Sequence, residues 1–556
     1  MRVGGFGLLP SGRTILASTW VVPRADGPRW APAAMVLLAA CVLAALVWPA
    51  IAAFVADDDD TWLEWSSQPL VRVVSVDSAP YSTCRPAFAL LMAIEKRAFG
   101  DWLAGYRLVG FAVHVLASLL LMALVRPWLG PWRAASAALL FLVIPVHHET
   151  LFWISGRPDL LSGCAVLASM VLFETARREE RGTKRALAAF AAAALALLAA
   201  LLKETGIIIV PLCAGLAIFL PRPGRSVVRD VRWALLSAAP ALATLALYLT
   251  RATDTSRLDH AVGALPTRAV WFLPALGALA WPLSLEEART QTLWHLGAMG
   301  KSGAIGLAAL VALAALYRVG KEARRPEIRI GLLMLVVGLA PFFLLTQPRL
   351  LFLASAGFVV LIVGLTRPRW TACVVGALVV MWGAGLCHEA RLWAAATGWG
   401  RIASEQLPRL PEDEILLVDF PLDVGGVLGS DAGIARVRAA KRVEFLAPLR
   451  VSGAGGWRPS AVAAEGAALV VRRPVRWGDH LGYPCNVARM SRRIAEVSVE
   501  DCRGDASESV SVPLRDLAGV GIYQFDGHAF RPLRLDIEPQ RGRGPDDRAV
   551  PTPAPR

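Results

Sequence analysis

The sequence predicts a polytopic α-helical membrane protein of about 11–12 crossings, with a small C-terminal extracytoplasmic domain of α/β or mostly β type. Three observations carry this. Of 556 residues, 55% are apolar and only 18% charged, against about 45–50% and about 25% in soluble globular chains. The apolar residues gather in blocks of about 17–25, the length that crosses about 30 Å of hydrocarbon. The basic residues behind the net charge of +14 concentrate in short loops between those blocks, as the positive-inside rule requires. A soluble enzyme, a collagen and a disordered scaffold are excluded, and nucleic acid is not an expected partner.

Residues 1–31, with Arg2, Arg13, Arg24 and Arg29, read as a cytoplasmic segment ahead of an apolar run near 32–55. That run is too long for a signal-peptide core and has no small-residue cleavage site before Asp57, so an uncleaved first helix is expected. An outer loop over 56–107 follows. Further apolar blocks fall near 108–125, 134–147, 160–176, 186–202, 205–220, 233–250, 266–285, 302–318, 328–345, 350–366 and 370–388. The Arg126/Arg133, Arg177–Arg185, Arg222–Arg232, Arg318–Arg329 and Arg367/Arg369 loops mark one side, the cytoplasm. The alternation closes if 266–285, with Pro266, Pro274 and Pro282, is re-entrant rather than spanning. The transmembrane domain is thus 32–388. The outer loop, the 147–159 loop and everything after 389 share the extracytoplasmic face, which for an inner (cytoplasmic) membrane protein is periplasmic.

Residues 389–538 change composition. Ile415 to Phe420 and Ala468 to Val471 read as strands, and Gly521 to Phe530 as a hairpin turning at Asp526 and Gly527. Residues 539–556, rich in Pro, Arg and Gly, read as a disordered tail. Of the 8 cysteines, Cys41, Cys164, Cys213, Cys373 and Cys387 lie in apolar blocks, where free Cys behaves as a small hydrophobe. Cys485 and Cys502 would be free to pair if their region faces an oxidising compartment.

Ionisable residues at or near membrane depth are costly and therefore functional candidates. The densest group is Asp57, Asp58, Asp59 and Asp60, which otherwise reads as a solvated cap. Arg85, His114, the trio His147, His148 and Glu149, the pair Arg157 and Asp159, the pair Lys203 and Glu204, and Arg349 follow in order. Local ion pairing is the competing reading for Arg157 with Asp159 and for Lys203 with Glu204. His114, alone on an apolar helix, reads as a packing residue. Two adjacent histidines without a third ligand at helical spacing favour hydrogen bonding over metal. Most of the 19 tryptophans sit near block ends as belt anchors; sugar stacking is the alternative for Trp62 and Trp153.

The order of these elements resembles a known family. Asp58 and Asp59 with Trp62 and Leu63, then Arg85 and Pro86, then Pro145 to Glu149 leading to Gly156, Arg157, Pro158 and Asp159, then Leu202 to Thr205, then Arg349 to Ser355, are similar to the membrane half of the TMTC-type protein O-mannosyltransferases and their bacterial relatives. These are GT-C glycosyltransferases, which use polyprenyl-phosphate sugars. The resemblance covers roughly 40–400. Such enzymes carry tetratricopeptide repeats after the membrane domain and this sequence has none there, so a protein acceptor is not implied over a glycan or lipid one such as lipid A.

The resemblance implies a GT-C-like fold and transfer of a hexose or mannose-like sugar from a polyprenyl-phosphate donor to an acceptor hydroxyl on the outer face. Asp58 or Asp59 would act as general base, or would bind a divalent cation (Mg or Mn) through oxygen ligands. Glu149 is a second acidic site group. Arg85, Arg157, Lys203 and Arg349 are candidates for the lipid phosphate, Arg as a bidentate fork and Lys as a point charge. Asp57, Asp60, His148, Asp159 and Glu204 would support them. A transporter or flippase with broken helices, or an inactive envelope scaffold, are the competing functions.

Overall fold

The computed structural model describes residues 30–56, 59–74, 85–179, 182–222, 226–251, 279–280, 320–344 and 347–418, together with the strands and short connections between 420 and 533. Asp57, Asp58, Cys485, Cys502, the block 302–318, most of 266–285 and the 539–556 tail lie outside the described residues.

The first apolar run forms two helices rather than one, α1 (Ala31–Leu46) and α2 (Trp48–Ile51). Pro49 lacks the N–H that would continue the ladder, and Val47 leaves helical geometry at φ −94°, ψ 6°. The outer loop is itself helical, with α3 (Asp59–Ser66), α4 (Leu70–Val73) and α5 (Pro86–Phe99). The bundle continues with α6 (Leu103–Leu129), α7 (Pro131–Val143), α8 (His148–Phe152), α9 (Pro158–Arg178), α10 (Gly182–Leu202), α11 (Ile209–Phe219) and α12 (Val227–Arg251). It closes with α13 (Pro326–Leu344), α14 (Phe352–Leu365) and α15 (Pro368–Gln406).

This is a multi-pass membrane protein. Among the described residues, α6, α9, α10 and the helix beginning at Pro368 are long and apolar enough to cross, and α7 bends by 53° into the segment Pro145–Phe152, a pair with the length and composition of a broken span or a re-entrant loop. The expected break inside 186–220 is present: α10 stops at Leu202, Lys203 is extended at φ −158°, and a tight turn over Glu204–Ile208 precedes α11. Gly206 makes that turn possible, since a Cβ there would lie 2.3 Å from the Ala199 carbonyl oxygen.

The last helix departs from expectation. The apolar block ends near 388, yet α15 runs for 39 residues, about 58 Å at 1.5 Å per residue. His388, Glu389 and Arg391 do not end it because Glu389, Leu392, Trp393 and Ala396 are buried against the bundle. Its final turns then enter the C-terminal core: Ala403 and Leu407 pack with Ile415, Leu417, Phe420, Tyr523, Phe525 and Phe530. The boundary drawn at 389 therefore falls inside a helix shared by both parts.

The C-terminal part is a mixed β structure. β1 (Glu414–Val418) runs parallel to β3 (Arg442–Leu446) and to β9 (Gly521–Phe525), and β10 (Phe530–Pro532) closes antiparallel on β9. Strands β2 (Pro421–Val424) and β4 (Leu449–Val451) form a parallel pair, while β5 (Ala461–Glu465), β6 (Ala468–Val475), β7 (Glu496–Glu500) and β8 (Ala506–Pro513) form a second four-stranded, antiparallel sheet in the order β5-β6-β8-β7. A strand buried on both faces reads as an unbroken apolar run. In β1, Ile415 and Leu417 face the end of α15 while Leu416 and Val418 face Leu469, Val471 and Val512 of the second sheet. The hairpin turns as expected, with Asp526 accepting the backbone N–H groups of His528 and Ala529 at 2.9 Å.

Candidate active site

Residues separated by nearly two hundred positions meet where α9 begins, α10 ends and α14 begins. Asp159 occupies the first turn of α9, just after Pro158. Its Oδ2 takes the Lys203 ammonium and lies 3.5 Å from Arg349 Nε. Lys203 and Asp159 are only 4% and 6% exposed. The Arg349 guanidinium lies 4.4 Å from the centre of the Trp153 ring, and its backbone N–H donates to Glu149 Oε2 at 3.3 Å. Asp159, Ser162, Gly163, Thr205, Ile208, Pro341, Arg349 and Phe352 line a small cleft.

Beside this cleft Arg85 makes a bidentate pair with Glu204, at 2.7 and 3.1 Å. The sequence pairs Lys203 with Glu204 and Arg157 with Asp159 do not pair with each other; each member reaches a different element. Six of the predicted residues therefore meet at or beside the cleft: Asp159 and Arg349 line it, Lys203 pairs with Asp159, Glu149 accepts the Arg349 N–H, and Arg85 with Glu204 adjoins Lys203. Together they hold three cations and three carboxylates.

Arg157 stands apart from this group. It is fully buried, forks onto Glu95 at 2.6 and 3.0 Å, and donates to the Tyr106 and Ile154 carbonyls. A guanidinium so engaged holds the 153–157 turn to α5. Asp59 grips the same turn from the other side, its carboxylate accepting Ser155 N–H at 2.8 Å and Ala56 N–H at 3.1 Å. Since Trp153 of that turn carries Arg349 and Ser155 carries Asp59, one short segment connects the acidic loop to the cationic cleft. Asp60 follows Asp59 in the first turn of α3.

His148 accepts a hydrogen bond from Trp393 Nε1 at 3.0 Å and lies 3.7 Å from Glu389. His147 meets the Ser355 hydroxyl at 2.7 Å. His114 packs in the core beside Phe141 and His147. Among the described residues no cluster of three or more His, Cys, Asp or Glu is placed to hold a metal ion. Trp62 is 2% exposed and packed edge-on against Phe88, so it offers no face to a sugar.

Two residues of this scaffold had been given no role. Arg107, fully buried, donates to Phe152 O at 2.7 Å, to Phe54 O at 2.5 Å and to Ala53 O, fastening the end of the first crossing to the site turn. The signal was a lone arginine at the start of an apolar helix. Glu95 lies on the same face of α5 as the buried Phe88 and Met92, and a carboxylate on an apolar stripe calls for a buried partner.

Residues 80–249 match the family model of dolichyl-phosphate-mannose-protein mannosyltransferases. Over these residues the chain is similar to that family. The matched stretch contains Arg85, Glu149, Asp159, Lys203 and Glu204. The chain is 29% identical over 118 residues to protein O-mannosyl-transferase TMTC3 of Homo sapiens, covering 21% of this chain and 12% of that protein. It is 30% identical over 144 residues to Tmtc2 of Drosophila melanogaster, covering 25% and 15%. The chain thus spans only about an eighth to a seventh of the length of these curated relatives. Among solved structures it is similar to ArnT from Cupriavidus metallidurans bound to undecaprenyl phosphate, with a TM-score of 0.45 and 13% identity over 87% of this chain and 98% of that one. It is also similar to the oligosaccharyltransferase AglB from Archaeoglobus fulgidus in complex with an inhibitory peptide and a dolichol-phosphate, with a TM-score of 0.38 and 13% identity over 75% and 64%.

Proposed function

We propose that this protein is an integral membrane glycosyltransferase that moves a sugar from a polyprenyl-phosphate donor to an acceptor hydroxyl at the outer membrane face. The observation that carries this reading is the convergence of the buried Lys203 and the half-buried Arg349 on Asp159, which lines a cleft where α9 begins and α10 ends, with Arg85 beside it. Cationic groups grouped at that depth fit a phosphate.

In the proposed reaction the acceptor oxygen attacks the anomeric carbon, the bond from that carbon to the phosphate oxygen breaks, and the electron pair leaves with the lipid phosphate. Lys203, Arg349 and Arg85 stabilise the added charge. An aspartate of the acidic loop takes the hydroxyl proton. Both Asp59 oxygens already accept backbone N–H groups, which supports Asp59 as the residue that holds the loop and Asp58 as the base. A divalent cation, if bound by the acidic loop, would supply Lewis-acid charge there.

The helix ends support an orientation. α9 runs from the cleft to Arg177 and Arg178, and α10 runs from the basic loop back to Lys203. α14 and α15 repeat this, out to Arg367 and back into the β structure. If the basic ends are cytoplasmic, the cleft and the C-terminal part share the extracytoplasmic side, which supports a role for 389–538 near the acceptor.

The deciding experiment is transfer in detergent, supplying radiolabelled polyprenyl-phosphate sugars and envelope acceptors. Label should move with wild type and not with Asp58→Asn. Full activity of Asp58→Asn, Asp59→Asn and the double variant would remove the acidic loop from the mechanism. A requirement for a sealed compartment would point to transport instead.

A further inference from the structure

The cleft already contains an anion of its own. Lys203 and Arg349 both address Oδ2 of Asp159, a carboxylate that lines the cleft and is 6% exposed. Asp159 sits in the first turn of α9, where the helix dipole favours negative charge. At the rim, Glu204 neutralises Arg85 in the same manner. A buried ammonium without a counter-ion is costly in a folded protein. A site built only of cations would therefore hold a departing lipid phosphate very tightly.

We infer that Asp159 is a resident counter-ion that competes with the lipid phosphate for Lys203 and Arg349, and so limits how tightly the product polyprenyl phosphate is held. The inference rests on the reading of this cleft as the donor phosphate site. When a phosphate enters, its oxygens share or take over the two cations. When it leaves, the carboxylate takes them back, so the empty site has no unpaired buried charge. The role is one of specificity rather than chemistry, because Asp159 acts through the two cations. The competition follows from Coulombic repulsion between carboxylate and phosphate drawn to the same donors.

The test is equilibrium binding of a fluorescent short-chain polyprenyl phosphate to the detergent-solubilised full chain, with unlabelled polyprenol as the neutral competitor. Wild type should bind the phosphate lipid and not release it to polyprenol. Asp159→Asn should bind it at least about tenfold more tightly. Loss of a merely structural contact would weaken binding, so a gain in affinity separates the two roles. Equal or weaker binding by a stably folded Asp159→Asn overturns the inference. If Asp159→Asn is less stable without lipid, polyprenyl phosphate must raise its melting temperature by more than it raises that of wild type; an equal or smaller rise also overturns it. Wild type that fails to bind the phosphate lipid removes the donor-site reading and the inference with it, whereas wild-type binding without tightening removes the inference alone.

Discussion

Glu95→Leu strands a fully buried charge, that of Arg157, in the scaffold of the site. Arg157 has no exposed surface, and its counter-ion Glu95 is 3% exposed. Removing the carboxylate leaves a guanidinium without its charge partner, a change that costs about 3–5 kcal/mol at buried pairs. Arg157 would keep its hydrogen bonds to the Tyr106 and Ile154 carbonyls, at 2.6 and 3.0 Å, which places the expectation near the lower end, about 3 kcal/mol. Replacing both partners, as Glu95→Leu with Arg157→Met, removes the stranded charge and should recover most of that loss, because well-packed apolar substitutes for buried ion pairs are often neutral. The measurement is unfolding in detergent by intrinsic tryptophan fluorescence for wild type, single and double variants, with transfer activity in parallel. Stability should fall and recover, while activity stays low in the double variant, since the 153–157 turn that carries Asp59 and Arg349 has lost its tether. A single variant as stable as wild type, or a double variant no better than the single, would refute the reasoning.

Three further outcomes are expected. Asp59→Asn leaves one carbonyl oxygen for two backbone N–H donors, so it should lower stability by about 1–3 kcal/mol and reduce transfer, checked by thermal unfolding beside the transfer assay. Gly163→Ala places a methyl group 2.4 Å from the Phe352 ring and should cost about 1–3 kcal/mol through overpacking, with a smaller loss from Gly163→Ala combined with Phe352→Leu. The Tyr523 phenol, buried in the C-terminal core and donating to Glu412 at 2.6 Å, is pushed from 10.0 to about 12 by burial and by the Glu412 carboxylate. Its contribution is complete below pH 10 and disappears as pH rises through 12; Tyr523→Phe should abolish that alkaline loss of stability, read from melting temperatures across the range.

The sequence by itself determined the architecture where composition dictates it. Water cannot satisfy a backbone in hydrocarbon, so spanning segments must be helices, and their apolar length and basic flanks are readable one segment at a time. The break at Lys203 was equally legible, because a charge and a glycine interrupt an otherwise continuous apolar run. Strand β1 and the β9–β10 hairpin were visible for a similar reason, in a run of β-branched and aliphatic residues and a turn built on Asp526. The continuity of α15 past residue 388 was not, since polar residues on one helix turn look like an ending until their burial against a neighbour is known.

Pairing was decided only by the tertiary structure. Adjacent opposite charges, Lys203 beside Glu204 and Arg157 two residues from Asp159, suggested local bridges. In the fold, Lys203 joins Asp159 across 44 positions, Arg85 joins Glu204 across 119, and Arg157 joins Glu95 across 62. A charge removed from water must find its partner wherever packing leaves room for one, and which helix ends meet is set by the whole bundle rather than by any segment. Sequence therefore named most of the charged residues that meet at or beside the cleft, while the fold alone separated them from those, such as Arg107, Arg157 and Asp59, that hold the neighbouring turn in place.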